Sequence, residues 1–221
     1  MADYRFYLDR VLSIKVKDEI FNGGIFNGLE YQVVTNPITG RQWLDRNLGA
    51  TRVATAVNDA QAYGHLFQWG RLADGHEIRT SATRNEQSTT DVPGHSDFII
   101  GFDDWRNPSN NNLWQGVDAV NGIAPKGWRL PTESELMEER NTWTSFDRDG
   151  AYASFLKLPR AGLRSSATGS FSLVGVVTRI WSMNSVTNSS NSRTLNVGSS
   201  SAAMLSESRA EGRTVRLIKD I

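Results

Sequence analysis

Apolar and polar positions alternate along residues 4–20, where Tyr4, Phe6 and Leu8 are followed by Val11, Leu12, Ile14 and Val16, with charges at Asp9, Arg10, Lys15, Lys17, Asp18 and Glu19. This pattern predicts one or two strands in need of a partner. Asn22-Gly23-Gly24 and Asn27-Gly28 then punctuate the chain, so residues 1–28 read as a short β attachment segment ahead of a domain over residues 29–221. In that domain Leu29–Thr35 and Arg41–Asp45 flank Asn36-Pro37-Ile38-Thr39-Gly40, a loop with Pro and Gly where a hairpin wants them. Asn58–Leu72 opens with an N-cap signal, carries Ala60, Tyr63 and Phe67 on one face, and is expected to start helical and end extended around Phe67 and Trp69.

A helix start is written into Gly127–Leu136. Pro131 stops a preceding strand, and Thr132 with Glu135 forms the reciprocal pair of a capping box, so a helix should begin at Glu133 and run to about residue 141. Leu136 and Met137, with Trp143 a turn later, then face a core, leaving Glu138, Glu139 and Arg140 largely in water. Further strands are expected at 155–164, interrupted by Pro159, and at 171–177, 179–183, 194–197, 202–205 and 214–219, with a polar hairpin at Ser165–Ser170. Residues 73–126 keep no period and are rich in Asp, Asn, Ser, Thr and Gly. Phe98, Ile99, Ile100, Phe102, Trp105 and Trp114 give that stretch apolar anchors, which predicts an ordered excursion.

Composition narrows the classes. Lys plus Arg is 24 and Asp plus Glu is 24, so no net field would hold the chain on nucleic acid or an anionic membrane. No apolar run is long enough for membrane insertion, and Met1–Phe6 lacks the basic and apolar regions of a secretory signal, which leads to the expectation of a chain folded in cytoplasm. With no cysteine, disulfides, thiolate metal sites and cysteine nucleophiles are excluded together. Seven Trp and nineteen Gly suit an irregular α+β domain.

The order of signals resembles a known module. Arg41–Ala50, Tyr63–Arg71 with Asp74-Gly75-His76-Glu77, Gly127–Thr132, Leu156–Pro159 with Ala161-Gly162, Ile180–Ser182 and Val215-Arg216 are similar to blocks of the Fibrobacter succinogenes major paralogous domain, over about Leu29–Lys219. The resemblance implies a C-type-lectin-like fold with irregular loops, as in phage tail-fibre and other virion proteins and in secreted bacterial proteins. It also implies a cysteine before the Pro of the Gly-Trp-Arg block and another near the final Val-Arg. Here those places read Ala124 and Leu217. Loss of that pair favours a virion or intracellular protein over a secreted one.

Candidate chemistry is sparse. His65, His76 and His95 show no metal-binding or catalytic spacing, and His76-Glu77 reads more readily as a hydrogen-bonded structural pair than as an acid/base pair. Asp103, Asp104, Asn107, Asn110, Asn111 and Asn112 supply oxygens of the kind calcium takes, but Asx turns give the same composition and are the commoner cause. No cofactor is implied. Trp43, Trp69, Trp128 and Trp181 lie in apolar blocks and belong to a core, whereas Trp105 and Trp114, in polar stretches, are expected to be exposed and available to stack on a ligand. Between Ser182 and Ser208, Asn184, Thr187, Asn188, Asn191, Arg193, Asn196 and Ser199 could form a polar recognition crest, weighed against a loop kept polar for solubility.

These readings lead to a non-enzymatic virion protein made in the host cytoplasm. It would dock on other virion proteins through its N-terminal segment, self-associate through unpaired strand edges, and meet a host-surface glycan or protein. A bacterial surface or extracellular carbohydrate-binding module and a purely structural fibre or capsid-decoration protein stay open as alternatives.

Overall fold

In the computed structural model, which describes residues 19–220, the Asn36–Gly40 loop is closed from within: Gly40 N–H donates to Asn36 O at 2.8 Å, Ile38 N–H donates to Asn36 Oδ1 at 2.9 Å, and Gly40 takes φ +72°. The loop joins β3 (Val33–Thr35) to β4 (Gln42–Leu44), with Val34 opposite Trp43. Leu29–Thr35 is two strands rather than one, because β2 (Leu29–Tyr31) folds back on β1 (Gly24–Phe26). β4 pairs in turn with β15 (Ile218–Lys219), and β15 with β8 (Trp128–Arg129). Neighbouring residues of a strand point to opposite faces. Trp43 and Ile218 therefore enter one apolar cluster, with Leu136, Trp143 and Leu195, while Leu44 and Leu217 enter another, with Trp69, Trp114, Trp128 and Trp181. Ala124 packs on the same cluster as Leu217, so both places where the resemblance expects cysteine adjoin one core.

A second sheet runs β10 (Phe171–Ser172), β9 (Leu163–Arg164), β14 (Gly212–Arg213) and β5 (Phe67–Gln68). A third is the meander of β11 (Thr178–Ser185), β12 (Asn191–Val197) and β13 (Ala202–Ser208). β6 (Thr83–Arg84) and β7 (Phe98–Ile99) make a short parallel pair inside the 73–126 excursion. Among the described residues there are two α-helices, α1 (Glu133–Arg140) and α2 (Arg148–Ala153), and one short 3-10 helix, Ala60–Ala62, so the chain is mostly β with few helices. None is long and apolar enough to cross a membrane.

α1 starts where its cap requires: Glu135 N–H donates to Thr132 Oγ1 at 3.1 Å and Thr132 N–H to Glu135 Oε2 at 2.8 Å. Its water-facing side differs from expectation at Glu139, which is only 1% exposed. Asn36 Nδ2 donates to its Oε2 at 2.7 Å and the Trp143 indole to its Oε1 at 3.3 Å, and these bonds offset the cost of burial. α2 was not foreseen. Asp147 caps it by accepting from Asp149 and Gly150 N–H at 2.9 Å each, and Gly150 is needed because a Cβ there would meet Ser145 O at 2.0 Å. The strands expected at 155–164 and 171–177 shrink to β9 and β10, since Pro159 and the turns around Ser154 and Leu173 divert the backbone.

The strand expectations for residues 4–18 lie outside the described residues. Residues 19–28, assigned by sequence to the attachment segment, lie on the domain: Phe21 N–H donates to Lys126 O at 3.0 Å, the Trp128 indole donates to Phe21 O at 2.7 Å, and Phe26 packs on the core.

Five arginines are buried in this framework: Arg71, Arg164, Arg209, Arg213 and Arg216. Backbone carbonyls are prominent partners. Arg71 donates to Asp97 O and His95 O at 2.9 and 2.8 Å, and Arg216 to Leu156 O at 2.8 Å and Leu44 O at 3.3 Å. A guanidinium carries five donors in a fixed fork, so one side chain can hold several loop segments where a ladder cannot form.

Candidate functional site

The excursion over residues 73–126 reaches the surface at its Asx-rich turn, and that turn is pinned at several points. Asp104 Oδ1 accepts from Arg106 N–H at 3.1 Å and Asn110 Oδ1 from Asn112 N–H at 3.0 Å, two Asx turns of the expected kind. Gln87 Nε2 donates to Asp104 O at 2.8 Å, Ala210 N–H to Asp103 O at 3.1 Å, and Gly101 N–H to Ser166 O at 2.7 Å.

Trp105 and Trp114 do not stand in solvent, which corrects the expectation for both. Trp105 is 0% and Trp114 1% exposed. The Trp105 indole donates to Trp69 O at 2.7 Å and the Trp114 indole to Asn121 O at 3.0 Å, so each polar edge is satisfied inside. Flanking Asn and Asp residues made these positions look wet, but Asp104 and Asn110 bond their own turns while the tryptophans are the anchors beneath them.

Above the anchors opens a polar cleft of about 620 Å³. Asp103, Asn107 and Ser109 line one side, and Ser166 and Ser190 belong to the two hairpin turns that complete it. A smaller extension of about 330 Å³, lined by Ser109, Asn111, Asn188, Ser189 and Ser190, continues it over the β11–β12 turn. Asp103 is exposed, and its carboxylate has no hydrogen bond or ion pair among the described residues. Burial pushes the Asp104 carboxyl up, a bond from Ser109 opposes it, and the Arg209 guanidinium stands 3.5 Å from Asp104 Oδ2. The cleft offers acceptors and hydroxyls on a fixed backbone, and no histidine lines it.

The residues of the expected crest are divided by the sheet. Thr187 and Asn188 sit exposed at the β11–β12 turn, with Asn188 at φ +54° and on the cleft extension, and Asn191 just beneath contributes its carbonyl to Arg209. Ser199 lies exposed at the opposite end, in the β12–β13 turn. Asn184 and Arg193 have structural partners: Asn184 Oδ1 accepts from Glu133 N–H at 2.7 Å at the start of α1, and Arg193 makes a two-pronged ion pair with Glu133 at 2.9 and 2.6 Å. Asn196 is half-buried in mid-strand opposite Arg179 and Ala203. The contribution of Ser166 and Ser190 was not foreseen; the Ser165–Ser170 hairpin was legible, but its meeting with residue 101 is a long-range contact without a local signal.

Asp74, His76 and Glu77 are close enough together to suggest a metal site. Both ring nitrogens of His76 are already used, however: Nδ1 lies 2.7 Å from Asp74 Oδ1 and Nε2 accepts from Gln68 N–H at 3.1 Å. Burial holds the His76 pKa down to about 4 against the opposing pull of Asp74, so the ring is neutral and donates from Nδ1. The cluster is a structural knot joining β5 to the turn at Asp74. Of the calcium-type oxygens, Asp104 Oδ1, Asn110 Oδ1 and Asn111 Oδ1 accept from Arg106, Asn112 and Arg209 respectively, the first two as Asx turns do. Comparison with protein-family models, with curated proteins and with solved structures found no match to this chain.

Proposed function

We propose that this chain is a non-enzymatic virion component of a tailed phage, a tail-fibre, receptor-binding or decoration protein, whose lectin-like domain recognises a host-surface glycan through the polar cleft. The observation that carries the binding role is the cleft itself: Asp103, Asn107, Ser109, Ser166 and Ser190 come from three separate turns and face one space, on backbone held rigid by Trp105 and Arg209. Hydroxyl, amide and carboxylate groups fixed in that way match the hydroxyls of a sugar, and preorganisation keeps the ordering cost of binding small. No histidine lines the cleft to act as the usual base for a serine, which favours recognition over turnover. The virion setting rests on the resemblance to the Fibrobacter module and on the missing cysteines. Docking on the particle and self-association are assigned, as part of the same reading, to the N-terminal residues.

The test is a glycan array with the intact chain, followed by host-cell adsorption. Asn107→Arg and Ser190→Trp, which crowd the cleft from opposite sides, should each weaken binding at least about tenfold, or about 1.4 kcal/mol, with melting unchanged. Wild-type binding by both variants would overturn the assignment of the cleft.

A further inference from the structure

We propose a second binding site, on the α2 side of the molecule, for a small carboxylate carried on a six-membered ring. It stands on different residues from the cleft and does not depend on it. A pocket of about 310 Å³ lies between the end of α1 and the end of α2, walled by Trp143, Ala153 and Phe155, with Thr144 and Lys157 at its polar side. A dry cavity of about 150 Å³ is enough for benzene, so this volume has room for one substituted ring.

The pocket is held open by its own turn. Ser154 Oγ donates to Ala151 O at 2.7 Å and accepts from Leu156 N–H at 3.2 Å, while Lys157 N–H donates to Ser154 O at 3.1 Å. That turn sends Leu156 and Leu158 into the core and turns Phe155 and Lys157 outward, leaving Phe155 53% exposed. Lys157 holds φ +47°, a left-handed conformation that glycine takes far more easily than lysine. Its ammonium has no carboxylate within ion-pair distance among the described residues and lies 5.6 Å from the centre of the Tyr152 ring. An apolar slot with an ammonium that lacks a carboxylate partner at its rim fits an anion that presents a ring face to the exposed Phe155, over a floor formed by Trp143.

Two sources share that chemistry, an aryl carboxylate and a uronic acid, and binding measurements separate them. Benzoate is compared with benzamide, and glucuronate with glucose, by ligand-observed NMR on the full chain. One carboxylate should bind at least about tenfold tighter than its neutral counterpart, Lys157→Gln should erase that preference, and Phe155→Ala should weaken binding several-fold. Lys157→Gly should lose binding yet melt no lower than the parent, since it relieves the left-handed strain. Failure of both carboxylates to bind, equal binding of the neutral partners, or unchanged affinity in Lys157→Gln would overturn the proposal.

Discussion

The Arg209 guanidinium lies 4.7 Å from the centre of the Trp69 ring, and around that stacked pair three distant stretches of chain are joined. Arg209 Nε donates to Asn191 O and Ser192 Oγ at 3.1 Å each, and its terminal nitrogens reach Asn110 O at 3.4 Å and Asn111 Oδ1. Trp69 O in turn accepts the Trp105 indole. The cleft turn and the β11–β12 turn are thus fastened to one core position. A metal ion could do the same with oxygen ligands, but here a side chain supplies the positive charge from inside.

Removing that charge should be costly. Arg209→Met leaves the Asp104 carboxylate buried without its cation and the Asn110 carbonyl without its donor, while Asn191 O keeps only its bond from Val186 N–H, a loss of about 3–5 kcal/mol in urea unfolding. Arg209→Lys keeps the charge but not the fork and should lose less, about 2 kcal/mol. Adding Asp104→Asn to Arg209→Met should return about 1 kcal/mol or more, and a double-mutant cycle measures that coupling. Strict additivity of the two changes would show that the pair is not coupled.

His76 makes the fold sensitive to mild acid. Its pKa, near 6.5 when free, is held down to about 4 in the folded chain by burial, so the unfolded state takes the proton first. Stability is therefore fully present above about pH 6.5 and falls as pH drops towards 4, by up to about 1.4 kcal/mol per unit. His65, also lowered by burial, adds to the same slope, whereas Glu77, raised by burial, opposes it at lower pH. His76→Gln should be less stable at pH 7 by about 1–3 kcal/mol, through lost bonds to Asp74 and Gln68, and should show a flatter profile between pH 6.5 and 4. Urea midpoints at half-unit pH steps compare the two slopes.

Tryptophan emission offers a third check. All seven tryptophans are buried, Trp143 being the most accessible at 6%. Emission should accordingly be blue-shifted from that of free tryptophan, with weak acrylamide quenching. Trp143→Phe should remove most of what quenching remains, and Trp105→Phe almost none of it. Strong quenching that survived Trp143→Phe would contradict the burial of Trp105 and Trp114.

Local signals proved legible where a short stretch contains its own explanation. Thr132 and Glu135 announce their cap, Asn36–Gly40 its hairpin, and Trp43, Trp69, Trp128 and Trp181 their burial through apolar neighbours. Trp105, Trp114 and Glu139 were misplaced because their partners, Trp69, Asn121 and Asn36, are remote or belong to turns whose path a linear pattern does not give. The buried arginines were hidden for a related reason: a guanidinium that bonds carbonyls looks, in sequence, like any surface charge. The cleft was half legible. Its Asx-rich turn and Asn188 stood out as polar and irregular, but only the long-range contact of Gly101 with Ser166 brings the third turn to them.

The capping box at α1 should govern stability in stronger acid. Burial alone would raise the Glu135 carboxyl, but Arg129 donates to it at 2.8 and 2.9 Å and Thr132 N–H adds a third bond, so its pKa is held down to about 2 from an ordinary value near 4.5. A depressed carboxylate contributes stability above its unfolded pKa, and that stability drains away as pH falls from about 4.5 to 2. The gap corresponds to about 3 kcal/mol, nearer 2 after partial solvent screening. Glu135→Gln should thus lose about 2 kcal/mol at pH 7 and converge on the parent near pH 2. Thr132→Ala, which removes only the hydroxyl side of the cap, should cost about 1 kcal/mol at pH 7 and leave most of the acid slope in place, because Arg129 still holds Glu135. Thermal melts of the three proteins from pH 7 to 2 distinguish these outcomes: a Glu135→Gln curve parallel to the parent throughout would mean that the Arg129 pair contributes nothing to folding.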